Sequence, residues 1–174
     1  MSPDEKPVGL SVAVIDNTLL SRLFALGIAA FLPQIFKQIR IPPEVRCEAE
    51  RGPNNKELVD LLNESNDFFI DCFEADITNK EFLKTTLDEG EAAVIAQAEI
   101  TISVVITDDK AAYKEAIGRD LQVFRTGAIL CLLKEAGQIT LVAPYLDKLV
   151  NEMDFRLTPK AKLAILKKAG EFET

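Results

Sequence analysis

The sequence contains no histidine and no tryptophan, and only three of its 174 residues are cysteines. The lack of histidine argues against zinc chemistry and against acid–base catalysis by imidazole. The cysteines, Cys47, Cys72 and Cys131, are odd in number, widely spaced and without a C-x-x-C pair. We therefore expect neither disulfides nor thiolate metal sites, and we interpret all three as small buried apolar residues.

Long apolar segments are also missing. The longest, from Leu23 to Leu32, ends at Pro33 and is shorter than the roughly 20 residues that a membrane span requires. Residues 1–7 are polar and lack the basic-then-apolar pattern of a signal peptide. We therefore expect a soluble, cytoplasmic protein that makes no contact with membranes.

Positive charge is scarce, because 20 basic residues face 28 acidic ones and the formal net charge is −8. An acidic surface repels a phosphate backbone, which argues against broad nucleic-acid binding but not against a nuclease whose acids are neutralised by metal. Residues 155–170 are the exception, with five basic residues and no acidic one. We interpret this segment as the solvated face of an amphipathic helix, with an RNA or partner surface as the alternative.

Length and hydrophobic pattern predict one globular domain. A hydrophobic content of 48% supports a core, and 174 residues is close to the prior of about 150 per domain. Apolar runs predict strands at 11–15, 38–41, 68–73, 102–107 and 121–124. Helical periods predict helices from Thr18 and at 43–48, 56–64, 79–85, 88–99, 110–117, 126–136, 141–153 and 159–170. This alternation predicts a three-layer α/β/α fold with a central, mostly parallel sheet.

Acidic residues follow the strongest strands of this prediction or lie in helices that come after turns. One ends the run Val12–Ile15 and two end the run Ile102–Thr107. Because parallel strands bring their carboxyl ends to one edge, where open α/β sheets bind ligands, we expect the acids to meet there. An all-oxygen site suits Mg²⁺ or Mn²⁺. The residues concerned are Asp16, Glu48, Glu91, Asp108 and Asp109.

Each acid also has an ordinary structural interpretation. Asp88-x-x-Glu91 matches a capping box, and either Asp108 or Asp109 could cap the following helix. Glu48 could pair with Arg51 one helical turn on. A functional site is favoured because independent helix caps would have no reason to converge.

Five segments resemble, in order, the motifs of PIN-domain ribonucleases. They are Val14–Leu20, Ile41–Glu48, Leu87–Ala93, Ile106–Asp109 and Arg125–Gly127. Phe155–Thr158 and Lys168–Glu171 further resemble the C-terminal extension of a toxin-like PIN subfamily. The resemblance implies a single PIN-like domain over residues 1–174, with a flexible N-terminus at 1–10 and a C-terminal helical extension at 155–174.

The resemblance also implies a Mg²⁺- or Mn²⁺-dependent endoribonuclease, often the toxin of a toxin–antitoxin pair. Its partners would be an RNA substrate and a small antitoxin protein, and it would be a homodimer. Catalytic roles fall to Asp16, Glu48, Glu91 and Asp109, and metal binding falls to Asp16, Glu91, Asp108 and Asp109.

Finer assignments stay open at this point. The family's threonine-x-aspartate spacing, counted from Thr107, favours Asp109 over Asp108 as the ligand. Thr107 and Thr126 could hydrogen-bond a carboxylate or the scissile phosphate, and Lys110 and Arg125 could contact phosphate. Asn17-Thr18 departs from the threonine–serine pair that follows the first acid in many PIN domains.

Two other functions fit parts of the pattern. A phosphoacceptor receiver domain needs its acid pair early in the chain and a late strand-end lysine, whereas the pair here, Asp108-Asp109, is late. A non-catalytic scaffold of the PIN-like fold would bind protein or RNA without cleaving it. The presence of acids at all four motif positions favours the nuclease.

Overall fold

A computed structural model describes residues 11–53, 55–72, 81 and 83–172 of the chain. The predicted flexible N-terminus at 1–10 lies outside the described residues, and the helix predicted at 79–85 lies partly outside them. The strands are β1 (Val12–Ile15), β2 (Gln38–Ile41), β3 (Phe69–Asp71), β4 (Val104–Ile106) and β5 (Val123–Phe124). The α-helices are α1 (Asn17–Ala25), α2 (Pro43–Arg51), α3 (Asn55–Glu64), α4 (Glu89–Thr101), α5 (Lys110–Gly118), α6 (Thr126–Glu135), α7 (Ala143–Glu152) and α8 (Pro159–Lys168), with a 3₁₀ helix at Ala29–Gln34.

The five strands form one parallel sheet in the order β3-β2-β1-β4-β5. Helices flank it, which confirms the predicted three-layer α/β/α architecture. β1 and β4 are buried almost throughout, because a central parallel strand is covered on both faces. From β1 the chain winds outward to β2 and β3, then returns to the other side of β1 with β4. The winding therefore reverses between β1 and β4, and a crevice opens beyond their carboxyl ends.

The fourth strand begins later than the apolar run predicts. Ile102, predicted as the first residue of that strand, instead ends α4 in the left-handed region, with a φ of 50°. Its N–H donates to the carbonyl of Ala98, and its side chain is 91% exposed. A left-handed C-terminal residue is common in helices but is usually glycine or asparagine, so an apolar isoleucine predicts strand instead. The strands predicted at 68–73 and 121–124 are also shorter than expected.

The cysteines were predicted to be buried, and the prediction is correct for one of them. Cys131 is buried in α6, but Cys72 is half-buried and Cys47 is exposed. Cys47 lies on α2, whose buried residues are Val45 and Ala49, so its helical position turns it away from the core. All three are free thiols.

The C-terminal helix α8 packs closely against α6. Gly127 of α6 permits this approach, because a Cβ at that position would lie 2.6 Å from Cδ1 of Ile165. Lys134 adds hydrogen bonds from Nζ to the carbonyl of Ala169 (2.8 Å) and to Oε1 of Glu171 (2.9 Å). The basic segment 155–170 is therefore a docked part of the domain rather than a free arm.

Within the described ranges, every helix is too short or too polar to cross a lipid bilayer.

Candidate active site

A cavity of about 360 Å³ lies beyond the carboxyl ends of β1 and β4. It contains every acidic residue that the sequence pattern singled out, although these residues are far apart in the chain. Two further acids, Asp88 and Asp154, share the cavity. The predicted acids that line it are Asp16, Glu48, Glu91, Asp108 and Asp109.

Asp16 lies at the centre of this arrangement. It follows β1 directly, and its Oδ1 accepts a hydrogen bond from the N–H of Leu19 at 2.8 Å, which caps α1. The residue is only 7% exposed. Burial raises its pKa from 3.8 to about 6, and the charge of Asp108 adds to the rise, while hydrogen bonds from Thr107 and Leu19 and the charge of Arg22 oppose it. A carboxylate buried this deeply is costly without a cation beside it.

The neighbouring aspartates at the end of β4 differ in how their oxygens are used. Asp109 caps α5 through Oδ1, which accepts from the N–H of Ala112 at 2.8 Å. Asp108 instead accepts from Thr126, from the backbone N–H at Oδ1 and from the hydroxyl at Oδ2. Its Oδ2 also lies 3.7 Å from the guanidinium of Arg22. Asp108 is thus held by protein donors at both oxygens, whereas the hydrogen bonds of Asp109 use one.

Glu91 completes the capping box that its spacing from Asp88 predicts. Its N–H donates to Oδ1 of Asp88 at 2.8 Å, and its own Oε2 accepts from the N–H of Asp88 at 3.2 Å. Burial raises the pKa of Glu91 to about 7, the hydrogen bond from Asp88 opposes the rise, and the charges of Asp88, Asp109 and Asp16 add to it. The capping and cavity-lining roles coexist, since the hydrogen bond uses one oxygen.

Glu48 reaches the cavity from α2 and lies against the first turn of α4. A Cβ on Gly90 would overlap Oε1 of Glu48 and lie 3.0 Å from its Cδ. The absence of a side chain at Gly90 therefore makes room for this carboxylate, a role that sequence reasoning missed. Burial raises the pKa of Glu48, and the charges of Asp88, Asp16, Glu44 and Glu89 add to the rise. The alternative of a pair with Arg51 is not realised, since in the described part of the chain Glu48 has no ion-pair partner.

Three cationic side chains line the same cavity: Arg22, Lys110 and Arg156. Lys110 was predicted to be near phosphate, and Arg156 belongs to the basic segment 155–170 for which an RNA or partner surface was the alternative, whereas Arg22 was not identified from the sequence. Arg125, the other predicted cation, is not among the lining residues and lies over the ring of Tyr113 at 4.4 Å.

The two threonines have structural partners. Thr107 is 1% exposed and its hydroxyl accepts from the N–H of Asp109 at 3.2 Å. Thr126 is fully buried and bonds Asp108. Of the two predicted roles, hydrogen bonding to a carboxylate is therefore the one that these contacts fit, because a fully buried hydroxyl has no access to a substrate phosphate.

The chemistry of the donors fits a hard divalent cation. The lining ligands are carboxylate oxygens, which Mg²⁺ and Mn²⁺ prefer. Burial raises the pKa values of Asp16 and Glu91, and repulsion from neighbouring carboxylates adds to the rise. A cation would relieve this repulsion. The side chains of residues 11–53, 55–72, 81 and 83–172 do not, however, bring three such ligands together around one point. Cation binding would therefore need side-chain movements.

Comparison with known proteins gives one family match. The family model concerned is described as a PIN domain and matches residues 12–171. The match begins at β1 and extends through Glu171, so it includes all five predicted acids and α8. No curated protein matches the chain.

We predict that replacing Asp16 by asparagine stabilises the metal-free protein, and increasingly so as the pH rises from about 4 to 6. Because the pKa of Asp16 is raised on folding from 3.8 to about 6, the folded state holds a proton that the unfolded state has lost, and wild-type stability falls across this window. The difference between the folded and unfolded pKa values corresponds to at most about 3 kcal/mol in the free energy of unfolding. Asparagine keeps the helix cap without the charge.

Urea unfolding of both proteins in EDTA, at several pH values, measures this effect. The difference between variant and wild type should grow from about pH 4 to about 6 and then level off. A difference that does not change with pH would show that burial of the Asp16 charge carries no such cost.

Proposed function

The chain belongs to the PIN-domain family, and we propose that it is a metal-dependent endoribonuclease that hydrolyses phosphodiester bonds in RNA. One observation carries the proposal, namely the meeting of five separate acids in one cavity at the point where the sheet reverses its winding. Acids that served only as helix caps would need no common cavity. Ligand sites in open α/β sheets are found at this point.

We assign Asp16, Glu91 and Asp109 as the residues that would hold Mg²⁺ or Mn²⁺. Each lines the cavity, and its hydrogen bonds to backbone N–H groups use one carboxylate oxygen. Asp108 is the weaker candidate because protein donors already occupy both of its oxygens. The ion would supply charge stabilisation on the phosphoryl oxygens and lower the pKa of a water molecule.

The remaining groups orient the Asp16 carboxylate or exchange a proton with the attacking water. The N–H of Leu19 holds Oδ1 of Asp16 at 2.8 Å, and hydrogen bonding from Thr107 favours the charged form of that carboxylate by lowering its pKa. Glu48 has no hydrogen-bond partner among the described residues, so its oxygens are available to accept from the attacking water. Burial raises its pKa, which makes the carboxylate a stronger base than an exposed glutamate.

A non-catalytic scaffold is the second candidate, and one observation favours it. Asp16, Glu91 and Asp109 all have complete structural roles at helix N-termini. In the described ranges, moreover, no three potential ligands are already placed around a common point. A scaffold would show no Mn²⁺ affinity that depends on these acids.

We predict that Asp16→Asn and Asp109→Asn each reduce Mn²⁺-dependent cleavage of single-stranded RNA to background without unfolding the protein. Asparagine can still cap a helix, so the loss would be chemical rather than structural. Asp108→Asn is the matched control, with an expected loss of about 10- to 100-fold because it acts through its neighbours.

Cleavage assays with and without EDTA, together with Mn²⁺ titration by calorimetry, provide the measurements. Full cleavage by the Asp16 variant would remove the nuclease proposal. Equal Mn²⁺ binding by wild type and both variants would favour the scaffold. A larger loss for Asp108→Asn than for Asp109→Asn would reverse the assignment of the ligand.

We predict further that Gly90→Ala lowers cleavage while leaving the free energy of unfolding unchanged or raised by up to about 1 kcal/mol. Alanine is the better helix former, and the atom it would meet is the flexible end of Glu48, which can move aside. The displaced carboxylate of Glu48 then no longer occupies its position in the cavity. In a Glu48→Gln background the same change should have little further effect on the rate; an undiminished effect there would assign Gly90 another role.

We also propose that the protein acts in the cytoplasm as the toxin of a toxin–antitoxin pair, as a homodimer inhibited by a small antitoxin protein. Family membership supports this role. Induced expression in a bacterial host should arrest growth for wild type but not for Asp109→Asn at equal protein levels. Growth unaffected by soluble, active wild type would contradict the toxin role and leave the nuclease proposal intact.

A further inference from the structure

An acidic cavity in an acidic protein presents RNA with an electrostatic obstacle. The net charge is −8, and the cavity walls carry carboxylates whose pKa values are raised in part by one another. A phosphate backbone would be repelled unless cationic groups also meet it. The cations that line the cavity are therefore the residues through which a strand could approach.

One of these cations lies over an aromatic ring from the C-terminal part of the chain, and a second follows that aromatic residue in the sequence. The guanidinium of Arg22, on α1, lies over the ring of Phe155, 5.1 Å from its centroid. Arg156 follows Phe155 and lines the cavity with it. We call Arg22, Phe155 and Arg156 the C-terminal wall.

A backbone turn after α7 brings the C-terminal residues of this wall to the cavity. Helix α7 ends at Glu152, and Asp154 then adopts the left-handed region with a φ of 50°. The N–H of Phe155 turns back to the carbonyl of Leu149 at 3.2 Å. A non-glycine residue with positive φ is uncommon, and here it reverses the chain so that residues 154–156 all reach the cavity.

The two guanidinium groups keep hydrogen-bond donors to spare. Among the described residues, Arg22 has one ionic neighbour, Oδ2 of Asp108, at the long distance of 3.7 Å. Arg156 is exposed and has no hydrogen-bond or ion-pair partner within the described ranges. A guanidinium offers five donors in a planar fork that matches phosphate oxygens, and stacking on an aromatic ring fixes its plane.

We propose that the C-terminal wall binds a backbone phosphate of single-stranded RNA and so positions the strand for cleavage; this rests on the nuclease function proposed above. The cavity, at about 360 Å³, is at the small end of ligand pockets and suits about one nucleotide rather than a duplex. Aromatic and arginine groups are the usual means of holding unpaired strands. Arg22 and Arg156 are positioning residues in this assignment, and the acids remain the catalytic ones.

Arg156→Gln is the decisive variant: the side chain is exposed and has no hydrogen-bond or ion-pair partner in the part of the chain that the structure describes, so folding should not change. Binding is measured by fluorescence anisotropy with a labelled single-stranded oligouridylate, in Ca²⁺ and in EDTA, over a range of KCl concentrations. We expect the Kd to rise about tenfold. The slope of log Kd against log salt should fall by about 0.7 for the lost phosphate contact.

The controls separate charge at the wall from charge in general. Lys160→Gln removes an exposed cation of α8 that is not among the lining residues and should bind as wild type does. Arg156→Lys should restore most of the salt slope. In steady-state cleavage, Arg156→Gln should raise KM and leave kcat nearly unchanged. Arg22→Gln should behave similarly, with its thermal midpoint checked because it contacts Asp108 and Phe155.

The outcomes separate the two proposals. Suppose that Arg156→Gln binds RNA with the wild-type Kd and salt slope, while the wild type shows normal metal-dependent cleavage. This result would overturn the proposed role of the C-terminal wall and leave the nuclease proposal standing. Equal losses in Arg156→Gln and Lys160→Gln would also overturn it. Arg156-dependent binding without any cleavage by wild type would support the wall and refute the nuclease.

Discussion

The pairing of β1 with β4 is the contact on which the cavity depends. Ile15 lies opposite Ile106 in the parallel register, and the N–H of Asp16 donates to the carbonyl of Ile106 at 3.1 Å. This bond fixes the first acid against the strand that leads to Asp108 and Asp109. Because the winding reverses between these two strands, the connections that follow them diverge and leave a crevice. Burial of both strands makes this register costly to change.

Helix N-termini explain how so many acids remain together. Asp16, Asp109 and the Asp88–Glu91 capping box lie at the first turns of α1, α5 and α4, and Asp108 accepts from the first N–H of α6. The positive ends of four helices thus face one cluster of carboxylates. This field offsets part of the like-charge repulsion without a cation. A structural role at a helix N-terminus is therefore compatible with the function proposed for the same acids.

Most of the fold could be predicted because it follows from local patterns. The apolar runs of β1 and β4, each ending at an acid, indicate both the sheet and the edge where Asp16 and Asp109 meet. The exposed left-handed Ile102 could not be predicted, since an apolar residue in an apolar run carries no sign of a helix end. In the sequence, Gly90 is an unfavourable helix residue without an evident role. Only the proximity of Glu48 in the structure shows that it makes room for that carboxylate.

The contact between Arg22 and the C-terminal segment could not be predicted from the sequence, for a different reason. Arg22 and Phe155 are distant in the chain and have no shared spacing, so their contact appears only in three dimensions. The basic residues 155–170 favoured a plain solvated face of a helix, and several of them do lie on one, whereas the exposed Arg156 precedes α8 and lines the cavity. A composition count cannot separate one such residue from its neighbours, because the distinction depends on where the turn at Asp154 directs the chain.

Glu171 connects the segment after α8 to the start of α7. Its carboxylate accepts from the N–H groups of Val142 and Ala143, where α7 begins, and from Lys134. Although burial alone would raise its pKa, these bonds lower it, so the group stays ionised. Helix α7 is thereby anchored at its start by Glu171 and delivers Arg156 beyond its other end. Loss of the Glu171 carboxylate would release this anchor and disturb the turn that carries Arg156, leaving the acids themselves untouched.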